Sequence, residues 1–124
     1  MKKELELVKK FHEKFNQPFL KMPSLAPRDR WEFRYSLMSN EVEEYRGGAR
    51  NGDLENIAKE LADILYAAYG TILEHGLQDV MEEIFEEVHR SNMSKDYHEY
   101  KMIKGPGYVK ADIKKFVNYN DPAV

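Results

Sequence analysis

From Lys2 to Asn16 the apolar residues Leu5, Val8, Phe11 and Phe15 recur at spacings of three and four. That is the period of one stripe along a helix rather than the alternation of a strand. The same period returns three more times, and this repetition constrains the fold more than any other feature. A second helix starts near Pro27 or Arg28, where proline suits a first turn, and runs through Trp31, Tyr35, Leu37, Met38, Val42 and Tyr45 until Gly47-Gly48. Asn51-Gly52 marks a turn and Asp53 an N-cap for a third helix, which passes Ile57, Leu61, Ile64, Leu65 and Ala68 to about His75 and stops at Gly76. Leu77 to His89, with Val80, Met81, Ile84, Phe85 and Val88 on one side, reads as the fourth.

Pro18, Pro23 and Pro27 make Gln17 to Pro27 a stiff connection. After Lys95 the pattern dissolves into a turn at Gly105-Pro106-Gly107 and a short helix over Asp112 to Phe116, with no strand expected. The reading is all-α: a four-helix-bundle-like core with a short irregular C-terminal tail, in one domain over residues 1–124. Short loops predict that consecutive helices are antiparallel neighbours.

A formal charge of −3 gives no basic footprint for a nucleic acid polymer. The absence of cysteine excludes disulfides, thiolate zinc sites and cysteine nucleophiles. MKKELELVKK lacks the apolar segment of a signal peptide, and no apolar run approaches the ~20 residues that span a bilayer, so no membrane is expected and a cytoplasmic location is.

Chemistry enters with the stretch AKELADILYAAYG, where Asp63 stands between Leu61-Ala62 and Ile64-Leu65. A carboxylate withdrawn from water costs several kcal/mol unless a partner, a shifted pKa or a cation meets it. Glu60 and Asp63 share one helical face at a spacing of three, and Glu41 and Glu44 repeat that spacing on the preceding helix. If the two helices turn back on each other, four carboxylates converge and require cations among them. Oxygen ligands select magnesium, manganese or calcium, and magnesium completes its shell with phosphate oxygens, which suits an enzyme acting on a phosphoanhydride. Glu41 with Glu44 alone also fits a solvated helix face; the apolar company of Asp63 is what separates the two readings.

Further candidates are weaker in pattern. Asn92 and Lys95 in HRSNMSK suit phosphate or a helix cap equally. Arg28, Arg30, Arg34, Lys101 and Lys104 are candidates for a triphosphate clamp or plain surface charges, Arg34 being preferred because it lies two turns before Glu41. His12, Phe15, Asn16 and Trp31 could form an aromatic slot with a polar edge for a base, although Phe15 fits a core as well. Glu86 and His89 invite a diiron reading, which needs a second such pair, and none of His12, His75 or His98 has an acid three positions earlier. Trp31, Tyr35, Tyr66 and Tyr69 exceed what four short helices bury, so a homodimer or homotetramer is expected.

ExxE, fifteen intervening residues and then ExxD resemble the metal-binding signature of the all-α nucleoside triphosphate pyrophosphohydrolases. This is the MazG-like superfamily, which includes dimeric dUTPases and phosphoribosyl-ATP pyrophosphohydrolase. KKFHEKFNQP, ELADILYAAYG, and EEIFEEVHRSNMSK followed by KGPGY look like a small single-domain branch of it, over roughly residues 8 to 113. The resemblance implies that Glu41, Glu44, Glu60 and Asp63 bind Mg2+ or Mn2+, that Glu41 or Glu44 takes a proton from water, and that a nucleotide is split between its α and β phosphates into monophosphate and pyrophosphate. One position departs: relatives often carry a further glutamate where this chain has Asn40, which bears on the number of ions held. The rival reading is a non-catalytic helical interaction module whose acids pair with basic residues of a partner.

Overall fold

The computed structural model describes residues 1–117. It contains α1 (Lys2–Lys14), α2 (Arg28–Arg50), α3 (Leu54–Glu74), α4 (Met81–Met93), a hairpin of β1 (Asp96–His98) and β2 (Lys101–Ile103), and a 3-10 turn over Lys114–Phe116. The class is all-α, as the periodicity predicts. No helix is long and apolar enough to cross a membrane. Contacts gather into two compact units, Met1–Gln78 and the residues from Asp79 onward.

In the first unit the stripe of α1 buries Leu5 and Val8 against Leu73 of α3, with Phe19, Tyr69 and Ile72 packed around them. The helices run antiparallel. At one end of the α2–α3 pair, Arg30 of the first turn of α2 meets Glu74 of the last turn of α3; at the other, a Cβ added at Gly48 would lie 3.0 Å from the Asn56 side-chain amide. Asp53 caps α3 as expected, accepting the Asn56 N–H at 3.1 Å.

The proline-rich connection is fastened to the end of α3. The Leu20 N–H donates to the Leu73 carbonyl at 3.0 Å, Ser24 N–H to His75 at 3.0 Å, and the Gln78 amide to Leu20 at 2.6 Å. Gly76 ends α3 at φ +65°, where a side chain would also run into the Met22 carbonyl.

The second unit is organised by Glu87 of α4. Its carboxylate takes two bonds of 2.7 Å from the Arg90 guanidinium and one of 2.6 Å from the Asp112 N–H, which ties the tail to the helix. These donors hold its pKa at about 2, Arg90 contributing most.

Three boundaries differ from the sequence reading. α2 does not end at Gly47-Gly48 but continues to Arg50, because Gly48 is a contact position where α2 approaches α3. α4 begins at Met81 and ends at Met93, later at both ends than Leu77 to His89, since Leu77 and Gln78 are used to close the end of α3 and hold the loop. The tail contains an unexpected hairpin, with Tyr97 opposite Met102. Its turn is made by Glu99 at φ 46° and Tyr100 at φ 72°, residues that carry no glycine or asparagine turn signature. The expected helix over Asp112 to Phe116 shrinks to the three-residue 3-10 turn.

Candidate metal centre and cavity

Glu41 and Glu44 project from α2, Glu60 and Asp63 from α3, each pair one turn apart. The antiparallel packing brings one carboxylate oxygen from each of the four within 4.8 Å of one another. They are unequally exposed. Glu60 is 5% exposed, Glu41 and Asp63 are half-buried, and Glu44 faces solvent. Leu61 and Leu65, the neighbours that make Asp63 look enclosed in the sequence, are themselves 46% and 55% exposed, so Glu60 and not Asp63 is the acid taken furthest from water.

Among the described residues the one basic group paired with the cluster is Lys59, whose ammonium lies 2.9 Å from Asp63 and 3.7 Å from Glu60. One ammonium against four carboxyls leaves the charge uncompensated. Burial, then hydrogen bonding with Glu44, pushes the Glu60 carboxyl above its ordinary pKa, against the opposing pull of Lys59. One oxygen of Glu41 and one of Glu60 are buried with no hydrogen-bond partner among the described residues. Buried orphan acceptors on converging carboxylates are what a hard divalent cation satisfies, so these residues fit such an ion. Among the described residues no other group of acids and histidines gathers in this way, and Glu86 with His89 forms no second centre.

Beside the cluster opens a cavity of about 180 Å³, with Glu41 and Asp63 on its wall. Phe11 and Tyr66 form its aromatic side, their rings edge to face at 5.5 Å and 89°, and Val8, Leu37 and Ala67 complete the apolar lining. His12 and Arg34 are its polar members. The Nδ1–H of His12 donates to the Pro18 carbonyl at 2.9 Å, since a carbonyl only accepts, leaving Nε2 as the unprotonated nitrogen of the neutral ring.

Arg34 is 6% exposed and heavily engaged. It donates to the Ala67 carbonyl at 2.8 Å and the Thr71 hydroxyl at 3.1 Å, and lies 3.3 Å from Glu74. Gly70 makes room for it, because an added Cβ would run into the guanidinium.

Of the residues read from the sequence as a base slot, only His12 lines the cavity. Phe15 is 52% exposed, its ring tilted 51° to that of Phe11 with centroids 4.8 Å apart; Asn16 and Trp31 are exposed and outside the lining. Asn92 and Lys95 lie at the end of α4 in the second unit, where the Lys95 N–H donates to the Asn92 carbonyl in a closing turn. Phe11, read from the sequence as part of a helical stripe, and Tyr66, read as aromatic surface for assembly, line the cavity although neither is among the base-slot candidates. Tyr66 follows Asp63 by three residues on the same face of α3, a signal that was legible in the spacing.

No curated protein matches the chain. The family model for phosphoribosyl-ATP pyrophosphohydrolase matches residues 8–92, a span that takes in both acid pairs and every residue lining the cavity. With more than half its length matched, the chain belongs to the phosphoribosyl-ATP pyrophosphohydrolase family, within the MazG-like all-α pyrophosphohydrolases.

Proposed function

We propose that the protein is a divalent-metal-dependent nucleotide pyrophosphohydrolase, cleaving between the α and β phosphates to release a nucleoside monophosphate and pyrophosphate. The observation that carries this reading is the convergence of Glu41, Glu44, Glu60 and Asp63, with buried oxygens on Glu41 and Glu60 that nothing among the described residues satisfies. These four residues would hold the ion, magnesium being the best fit and manganese an acceptable one. When bound, the ion supplies charge neutralisation for phosphate oxygens and a more acidic water.

The chain's own groups do the rest. Glu44, exposed and opposite buried Glu60, or half-buried Glu41, accepts the proton of the attacking water. Phe11 and Tyr66 offer faces for a base, and His12, its tautomer fixed by Pro18, offers an acceptor beside them. The cavity and the carboxylates share Glu41 and Asp63, so a base in the one sets the phosphates against the other.

A second copy of the chain is part of the proposal. Tyr35, Val42 and Tyr45 on α2 and Leu61 and Leu65 on α3 are all more than a third exposed, which suits burial in a homodimer or larger assembly. Sedimentation as a monomer at micromolar concentration would contradict that part alone. The catalytic reading is tested by incubating a panel of nucleoside triphosphates with magnesium and resolving the products. Monophosphate and pyrophosphate are expected, with none formed in chelator; orthophosphate as first product would overturn the assignment.

A further inference from the structure

The cavity beside the carboxylates is small for a nucleotide site. Its volume of about 180 Å³ is close to the roughly 150 Å³ that holds benzene in an apolar protein interior, so it has room for one six-membered ring with its substituents and not for two fused rings. Phe11 and Tyr66 meet edge to face with centroids 5.5 Å apart, which leaves no slot between them, and a guest ring packs against the pair from one side. Tyr66 follows Asp63 by one turn of α3, a rise of about 5 Å, so a ring against Tyr66 leaves the length of a sugar before the carboxylates are reached.

Two nitrogens stand side by side in the wall. The point where a Cβ on Gly70 would lie is 3.0 Å from His12 Nε2 and in contact with Arg34 Nη2, so the missing side chain leaves these two as neighbours. The Nδ1–H of His12 is spent on the Pro18 carbonyl at 2.9 Å, which makes Nε2 an acceptor. Arg34 uses Nε on Thr71, Nη2 on Ala67 and Nη1 on Glu74; each Nη carries two hydrogens, so each keeps a donor beyond those contacts. Among the described residues His12 and Arg34 do not bond to each other. An acceptor beside a donor complements a base edge with an N–H next to a carbonyl or a ring nitrogen. Uracil and thymine present N3–H beside a carbonyl, and cytosine its amino group beside N3. Purines carry such edges too, and the volume is what sets them apart.

We propose that the cavity selects pyrimidine nucleotides, with His12 Nε2 accepting from the base edge and Arg34 donating to it. The choice of a nucleotide rests on the pyrophosphohydrolase reading; the selection itself does not require that any bond be cleaved.

The test is calorimetric titration of the full chain, in millimolar magnesium, with uridine, cytidine, adenosine and guanosine monophosphates. The tighter of the two pyrimidine nucleotides is expected to bind at least about tenfold better than either purine, as a fitted ring with its hydrogen bonds implies. His12→Asn keeps an amide donor near the place of Nδ1 for Pro18 and removes the acceptor, so pyrimidine binding should weaken about fivefold or more. His12→Gln, whose amide reaches the place of Nε2, should retain more of it, and Leu37→Ala, which widens the cavity, should narrow the gap to the purines. Purine binding as tight as pyrimidine binding, or no measurable binding of either pyrimidine nucleotide, would overturn the proposal. So would undiminished pyrimidine binding by His12→Asn. Hydrolysis of purine triphosphates as fast as of pyrimidine ones would also overturn it while leaving the catalytic reading standing. Selective pyrimidine binding without hydrolysis would count against the catalytic reading and not against this selection.

Discussion

Glu60 and Glu74 lie on the same helix and are similarly withdrawn from water, 5% and 3% exposed. Their surroundings are opposite. Glu74 receives two bonds of 2.9 Å from the Arg30 guanidinium and stands 3.3 Å from Arg34, which also donates to Thr71 and Ala67. Glu60 faces three other carboxyls and one exposed lysine, keeps an oxygen without a partner among the described residues, and has its pKa raised by burial. A buried carboxylate costs several kcal/mol unless it is met, so the two sites solve one problem differently. At Glu74 the protein completes the charge from its own residues and locks α2 to α3. At Glu60 it leaves the charge incomplete, an arrangement that suits the proposed divalent ion. Equal burial of the same side chain therefore has two outcomes, an ion pair that joins two helices at Glu74 and an uncompensated acid in the proposed metal centre at Glu60, and the discriminating feature is the partner.

The comparison breaks most visibly at Glu74. Glu74→Gln leaves two guanidinium groups without their anion, and loss of about 3–5 kcal/mol is expected, as for other broken buried pairs, read as a lower urea midpoint. A change below about 1 kcal/mol would mean that Glu74 is no more structural than a surface acid.

Glu60→Gln should do the reverse, keeping the fold and leaving metal-free stability unchanged or improved as repulsion falls. Metal-dependent turnover should drop at least about a hundredfold, and Asp63→Asn should behave alike. Unfolding of either variant would place these acids with Glu74.

A smaller effect is expected at Gly70. The new methyl group of Gly70→Ala meets the Arg34 guanidinium, so overpacking should cost about 1–3 kcal/mol, partly offset by the helix preference of alanine. A gain in melting temperature would show that Arg34 can move aside without loss.

The pH dependence sharpens the contrast with least effect. Glu87, held at about 2 against an ordinary 4.5, contributes stability that is complete above about pH 4.5 and lost as pH falls towards 2. Glu60 has the opposite sign: its raised pKa makes the protonated form the more stable one, an advantage present below pH 4.5 and lost as pH rises through the raised value. Melting temperature followed from pH 5 down to pH 2 should therefore fall less steeply in Glu87→Gln than in the unaltered chain.

The acid pairs and their helices were legible because a spacing of three on two adjacent helices fixes a face, and Asp53 was legible because its side chain caps by local geometry. Other features depend on tertiary contacts that no local pattern encodes. The glycines at 47 and 48 read as a stop, yet Gly48 serves the close approach of Asn56. Leu61 and Leu65 read as burial around Asp63, but both are about half exposed, so the enclosed acid is Glu60. Arg34 drew notice for its position before Glu41, while its bonds to Ala67, Thr71 and Glu74 arise only once α2 lies on α3. The hairpin escaped because Glu99 and Tyr100 adopt positive φ without glycine.

The central claim is that the four-carboxylate cluster is built incomplete and is completed by a divalent cation. Thermal melting with millimolar magnesium, set against sodium chloride of equal ionic strength, tests it most directly. The account predicts a rise in melting temperature with magnesium that matched sodium does not produce, by mass action on the native state, and its disappearance in Glu60→Gln. Equal responses to the two salts, or a magnesium effect undiminished in Glu60→Gln, would contradict it.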